Sequence, residues 1–257
     1  MAKTLSASLP CALTISGLDP GGGAGLAADL RAFSRAGAFG CAVASALTVQ
    51  STAGLRGVRP VGPALVMAQA REVLAHQDVR AIKTGALATS QNVRKVAELL
   101  AIHRDVPCVV DPVMIPTRGP GRLLQPSATA AMKKHLVPRA TLITANAPEA
   151  EALTSLRVLD IASATAAAKK LVDMGAVAAL VKGGHFNALA KEATDVLVIG
   201  KKVIVLSAPR LKLAPLHGGG CTLASLVAGR LAANSKKAAM AERLEEAVTW
   251  ARKTHHK

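Results

Sequence analysis

Short apolar runs alternate along the chain with longer stretches in which apolar residues recur every three or four positions. The runs are CALTISG (11–17), GCAVASALTV (40–49), VRAIKTG (79–85), VPCVVDPVM (106–114), ATLITAN (140–146) and AVAALVKGG (176–184). They are continuous rather than alternating, as strands are when both sheet faces are covered. Between them GLAADLRAFSRAG (25–37), GPALVMAQAREVLAH (62–76), SQNVRKVAELLAIH (90–103), SATAAMKKHL (127–136) and SATAAAKKLVDMG (163–175) read as helices. Such alternation predicts an α/β fold with a doubly wound, mostly parallel sheet flanked by helices. TDVLVIGKKVIVLSAP (194–209) instead predicts a hairpin around GKK, and two helices follow, over about 218–233 and 239–254. No linker, repeat or low-complexity stretch interrupts the pattern, so residues 1–257 are expected to form a single domain.

Composition narrows the function classes. One Trp, three Phe and no Tyr leave the core to Ala, Val and Leu, and remove the aromatic platforms on which single-stranded nucleic acids stack. A formal charge of +16 points by itself to polyanions. The Lys and Arg are dispersed, however, with no grouping denser than the KK pairs at 133–134, 169–170, 201–202 and 236–237. A solvated basic surface that attracts small anions is expected, with no nucleic-acid partner. The four cysteines are far apart and lack a C-x-x-C pair, which argues for a reducing compartment rather than a disulfide framework. No apolar stretch reaches the roughly 18 residues of a membrane span. A cytoplasmic protein without a membrane partner is the expectation.

In a doubly wound sheet, ligands gather beyond the carboxyl ends of the strands. The first such end is GLDPGGGAG (17–25), which is neither a P-loop nor a clean dinucleotide fingerprint. Its glycines permit a tight turn or close approach of the backbone to a small ligand. Asp29, one helical turn on, either faces the crevice or is an exposed acid favoured by the helix dipole. Asp111 ends the apolar run of VVDPVM, where a carboxylate must be paired or solvated. Asn146 and Glu149 of NAPEAE share one face of a helix start. They suit a Mg²⁺-bound nucleotide, and equally a capping box. Lys182 of VKGGH either reaches a phosphate or sits beside a surface turn. In HGGGC (217–221), Gly218, Gly219 and Gly220 open a helix whose free N–H groups and positive dipole end suit an anion. Phosphoryl transfer depends on that kind of positioning and charge stabilisation. At the same helix end, Cys221 should have its thiolate favoured. The histidines show no metal-ligand spacing.

Taken together, ALTISGLDPGGGAGLAADLRAFSRAGAFG, KTGALA, VVDPVM, LITANAPEAEAL, VKGGH and HGGGCTLASLVAG resemble the hydroxymethylpyrimidine/phosphomethylpyrimidine kinases of thiamine biosynthesis, in order and spacing, from about residue 11 to 232. The resemblance implies a ribokinase-like fold. It also implies ATP-dependent phosphorylation of 4-amino-5-hydroxymethyl-2-methylpyrimidine and then of its monophosphate. Gly17, Asp19 and Gly25 of the first loop, with Asp29 and Gln50, would hold the pyrimidine. Asp111, Asn146 and Glu149 would organise Mg²⁺ and its waters around the nucleotide, and Lys182 would contact the nucleotide. Gly218 to Cys221 would form the anion hole, with Cys221 orienting the acceptor hydroxyl more than deprotonating it. Relatives are often homodimers, so a homodimer is expected.

The chain departs from that family's pattern at several places. Gly219 replaces a Thr of the usual G-T-G-C, and LAPLH (213–217) replaces a polar T-x-N-T-H. IPTRGPG (115–121) runs longer than the usual A-K-S-G stretch, with Arg118 in place of the lysine. Ala86 stands where a Met packs on the pyrimidine, which enlarges the pocket. The roomier pocket favours pyridoxal kinase activity as the alternative. The altered approach to the anion hole favours a catalytically weakened pyrimidine-binding or regulatory protein.

Overall fold

A computed structural model describes residues 9–115, 122–185, 192–209, 218–234 and 238–255. In chain order these form β1 (Cys11–Leu18), α1 (Gly25–Arg35), β2 (Phe39–Ser51), β3 (Gly54–Pro60), α2 (Pro63–His76), β4 (Val79–Thr84), α3 (Ser90–Ile102), β5 (Cys108–Val110), α4 (Pro126–Ala131), β6 (Leu142–Asn146), α5 (Ala147–Thr154), α6 (Ile161–Asp173), β7 (Ala178–Lys182), β8 (Glu192–Ile199), β9 (Lys202–Pro209), α7 (Gly219–Ala233) and α8 (Met240–His255).

The strands make one sheet in the order β3-β2-β1-β4-β5-β6-β7-β8-β9. From β2 to β7 all neighbours are parallel, and antiparallel pairs close both edges. This is the expected doubly wound, mostly parallel sheet flanked by helices, including the 194–209 hairpin. The chain leaves β1 for β2, returns on β3, and re-enters on the other side of β1 as β4. The strand order therefore reverses between β1 and β4, where a crevice opens beyond the strand ends.

Two local expectations are corrected, and one strand was not foreseen. The 106–114 run yields only the three residues of β5, because Pro107 and Pro112 bracket it and supply no N–H to a ladder. The helix expected at 127–136 is α4 followed by a π turn over Met132–Leu136 and a 3₁₀ turn over Val137–Arg139. Pro138 again lacks the N–H that an α-helix would need. β3, whose GLRGVRP has little strand character, exists because β2 offers it an antiparallel edge.

Two layers of apolar side chains sandwich the sheet. Leu13 and Ile15 of β1 face the layer beneath α2, α3, α4, α5 and α6, whereas Ala12 faces the layer beneath α1, α7 and α8. The helices show why so few aromatics suffice. In α6, Ala164, Ala167, Ala168 and Leu171 form one buried stripe at helical spacing, so small side chains let helix and sheet approach closely.

The layer under α1 and α7 also contains charge. The Asp29 carboxylate of α1 accepts from Lys83 Nζ of β4 at 2.9 and 3.0 Å, from Thr14 Oγ1 of β1 at 2.6 Å and from Ser225 Oγ of α7 at 2.7 Å. All four residues are fully buried. Burial alone would lower the Lys83 pKa, but the charges of Asp29 and Asp111 outweigh it and hold the ammonium protonated. Removing one partner leaves the other charge uncompensated. Lys83→Met should therefore cost about 3–5 kcal/mol of stability in urea unfolding. Adding Asp29→Leu should recover much of that loss. A single variant as stable as wild type would show that the pair does not hold the layer together.

Candidate functional site

The loop from Gly17 to Gly25 is shaped by Asp19. Its Oδ1 accepts from Gly21 N at 2.9 Å and its Oδ2 from Ala24 N at 2.9 Å, so a buried carboxylate gathers the loop amides. Gly25 has φ +56°, and a Cβ there would lie 2.2 Å from Gly17 O. No side chain fits that contact. The loop forms one rim of a cleft whose lining includes Gly17, Asp19, Gly25, Gln50, Ala86 and Cys221. Five of the six expected pyrimidine contacts thus meet there. Asp29 is the exception. It lies neither at the crevice nor on the surface, because its carboxylate is consumed by Lys83, Thr14 and Ser225 in the dry layer behind the cleft. The far wall is apolar, formed by Ala86, Val113 and Leu123, and Leu55 of β3 packs in the same buried cluster behind them.

Next to Cys221, at the first turn of α7, lies a charged cluster. Lys182, at the end of β7, sets its Nζ 3.4 Å from Asp111 Oδ1 and 3.9 Å from Glu149 Oε2. The same ammonium lies 3.0 Å from where a Cβ on Gly220 would be, so it abuts the first turn of α7. Gly218 caps that helix at φ +82° without a side-chain hydrogen bond. A Cβ on Gly218 would fall 2.0 Å from Gly23 O, which means that the first loop and the start of α7 touch. Helix geometry leaves the amides of Gly219, Gly220 and Cys221 without intrahelical acceptors, turned toward the charged end. Asn146 and Glu149 form a true capping box on α5, at 2.9 and 2.8 Å, while Glu149 also reaches Lys182. The capping box is therefore realised, and it leaves the Glu149 carboxylate within reach of the charged cluster.

Two titrating groups define the chemistry. Burial drives the Cys221 thiol well above its ordinary range, and the neighbouring Asp111 carboxylate pushes the same way against Lys83. The thiolate expected from the helix dipole is instead disfavoured, because desolvation and a nearby anion outweigh a partial charge. Burial also raises the Glu149 carboxyl, to about 7; Lys182 opposes the shift and Asp111 adds to it.

The donor set fits a Mg²⁺ ion held largely through water. Asp111 Oδ2 is buried without a hydrogen-bond partner among the described residues, and Glu149 shares Lys182 with it. Mg²⁺ commonly takes one or two carboxylates and keeps its waters. No group of three or more His, Cys, Asp or Glu suited to a metal occurs among the described residues. Arg118 and LAPLH (213–217) lie outside the described residues. Lys83 and Leu55 were not foreseen: a lysine inside an apolar run carries the same signal that marked Asp111, whereas β3 offered none.

The profile of the phosphomethylpyrimidine kinase family matches residues 19–256. A hydroxymethylpyrimidine/phosphomethylpyrimidine kinase of Streptomyces coelicolor is 40% identical over 250 residues, covering 97% of this chain and 91% of its own. The thiamine biosynthesis bifunctional protein ThiED of Geobacter sulfurreducens is 40% identical over 86% of this chain, which spans 44% of that longer protein. A phosphomethylpyrimidine kinase structure from Clostridium difficile superposes with a TM-score of 0.78 at 31% identity, covering 95% of this chain and 98% of that one. A Staphylococcus aureus pyridoxal kinase in complex with AMP-PCP and pyridoxal gives 0.83 at 30% identity, covering 97% and 87%.

Glu149 gives the charged end a pH signature in the ligand-free protein. Its folded-state pKa of about 7 exceeds its ordinary 4.5. The stability it contributes is complete below about 4.5 and is lost as pH rises through 7. The stability of Glu149→Gln relative to wild type should therefore improve across that window in denaturant titrations. A pH-independent difference would contradict the buried, acid-favouring setting.

Proposed function

The chain belongs to the phosphomethylpyrimidine kinase family, and from that premise we propose that it phosphorylates 4-amino-5-hydroxymethyl-2-methylpyrimidine with ATP and then phosphorylates the monophosphate. One observation carries the reading. An apolar cleft ends at Cys221, and the first turn of α7 carries straight on into the charged cluster around Lys182. A flat heterocycle and a polyphosphate would thus meet across a single helix start.

The acceptor ring is assigned to the slot bounded by Ala86, Val113 and Leu123, with Gln50 offering an amide donor and acceptor to its polar edge. In the transfer, the acceptor oxygen bonds to the terminal phosphorus of ATP as the bond to the bridging oxygen breaks, and ADP leaves with that electron pair. Lys182 and the first-turn amides of α7 meet the negative charge spread over the phosphoryl oxygens. Cys221, held as a neutral thiol, orients the hydroxyl; the displaced proton goes to solvent or to the transferred phosphate. In the second step the attacking phosphate oxygen is already anionic and needs no base. Asp111 and Glu149 would hold Mg²⁺ through water, and its charge would add electrostatic stabilisation at the phosphates.

Pyridoxal phosphorylation is the second reading, favoured by the small side chain of Ala86 in the cleft wall. A cytoplasmic setting suits a protein in which none of the four cysteines is in a disulfide. No helix among the described residues is long and apolar enough to cross a membrane.

We assign a homodimer on the β2–β3 ribbon. Leu47 and Val49 of β2 expose 49 and 62% of their surface, and Leu18 at the end of the neighbouring β1, the register partner of Leu47, exposes 38%. Leu47→Lys combined with Val49→Lys should yield a monomer by light scattering. A wild-type monomer at micromolar concentration would refute the assignment.

Mass spectrometry of products tests the activity, after incubation with MgATP and, separately, the hydroxymethylpyrimidine, its monophosphate and pyridoxal. A pyrimidine diphosphate is expected. Pyridoxal phosphate alone would transfer the assignment to the second reading. No product from folded protein that still binds a pyrimidine would make it a binding protein.

A further inference from the structure

Lys182 is the last residue of β7, and the backbone directly after it is held by a side chain of another strand. β7 pairs with β8 antiparallel, and the ladder runs from Ala178–Ile199 to Val181–Val196. One step further, Lys182 faces Asp195, so both side chains lie on the α7–α8 side of the sheet. There the ladder gives way to a side chain: Gly183 N donates to Asp195 Oδ1 at 2.7 Å. Gly183–His185 then form a single 3₁₀ turn. A carboxylate thus fixes the amide directly after Lys182.

Asp195 is fixed in turn. Its Oδ2 accepts from Arg252 Nε of α8 at 2.8 Å, and Arg252 Nη2 reaches Ala193 O at 3.2 Å. The Asp195 and Arg252 side chains are only 11 and 10% exposed, so the pair is largely shielded from water. A charge-assisted bond in that setting is short and directional. The result is a chain of contacts from the last helix, through β8, to the backbone that carries Lys182.

We infer that Asp195, clamped by Arg252, is a positioning residue for nucleotide binding: it fixes the Lys182–Gly184 turn so that the ammonium sits against the first turn of α7. Neither residue lines the acceptor cleft. The inference rests on the kinase reading, and it places the control of nucleotide affinity in the C-terminal helix.

The test measures ADP and hydroxymethylpyrimidine binding separately by calorimetry, with KM and kcat for each substrate alongside. Asp195→Ala should weaken ADP binding by about tenfold, the scale of one charge-assisted hydrogen bond. Pyrimidine affinity should stay within about twofold of wild type, since the acceptor cleft is built from other elements. Arg252→Met should act in the same direction but less, because the Gly183 bond survives, and Arg252→Lys should restore part of the loss. A folded Asp195→Ala protein with wild-type ADP affinity would overturn the inference, as would equal weakening of both ligands. If Asp195→Ala does not fold, Arg252→Met decides: unchanged ADP affinity overturns the inference, and selective weakening supports it. Wild-type protein that neither binds ADP nor yields product would instead remove the kinase reading itself.

Discussion

Asp29 and Lys83 meet in a layer that water does not enter, and each is tolerated there because the other is present. Burying either charge alone costs several kcal/mol. The cost is offset only when both carboxylate oxygens and the ammonium have partners, which Thr14 and Ser225 help to supply. Those four side chains come from β1, α1, β4 and α7. The network is satisfied only when all four elements are in register, so it fixes the parts that frame the crevice. Ser225 lies one helical turn beyond Cys221. Lys83 is followed by Gly85, where a Cβ would fall 2.8 Å from the ammonium, and then by Ala86 of the cleft wall. The position of the cysteine and the floor of the cleft both follow from one buried pair.

That arrangement separates two kinds of chemistry. On one side, Ala86, Val113 and Leu123 give an apolar wall without specific polar demands. On the other, Asp111, Glu149 and Lys182 concentrate charge around a glycine helix start. Cys221 stands at the seam, where burial and the Asp111 carboxylate disfavour its thiolate. In the proposed mechanism a neutral side chain there would separate orientation of the acceptor from stabilisation of the transferring group. Fold similarity alone does not choose the acceptor, because pyridoxal and phosphomethylpyrimidine kinases superpose comparably on this chain.

Much of this was legible in the chain. The continuous apolar runs announced the parallel strands, and the polar or glycine residue ending each run announced the crevice, because topology carries all those ends to one edge. Positions such as Gln50, Asp111 and Lys182 could be read that way. Asp29 could not: whether a helical carboxylate faces solvent, ligand or a buried lysine depends on a residue far away in sequence, and Lys83 had been absorbed into a strand. Local reading also failed at β3, where the partner strand rather than propensity decides the conformation. Desolvation of Cys221 was hidden for the same reason, since helix position is local whereas burial is not.

The contact between Gly218 and Gly23 leaves no slack between the start of α7 and the loop that Asp19 gathers. A rearrangement of either must be accommodated by the other, since close-packed atoms transmit displacement rather than absorb it. In the proposed reaction the two ligands meet across this contact, so their binding free energies would be linked. Whatever the filling of one half does to the affinity of the other, the reverse order of filling does by the same factor.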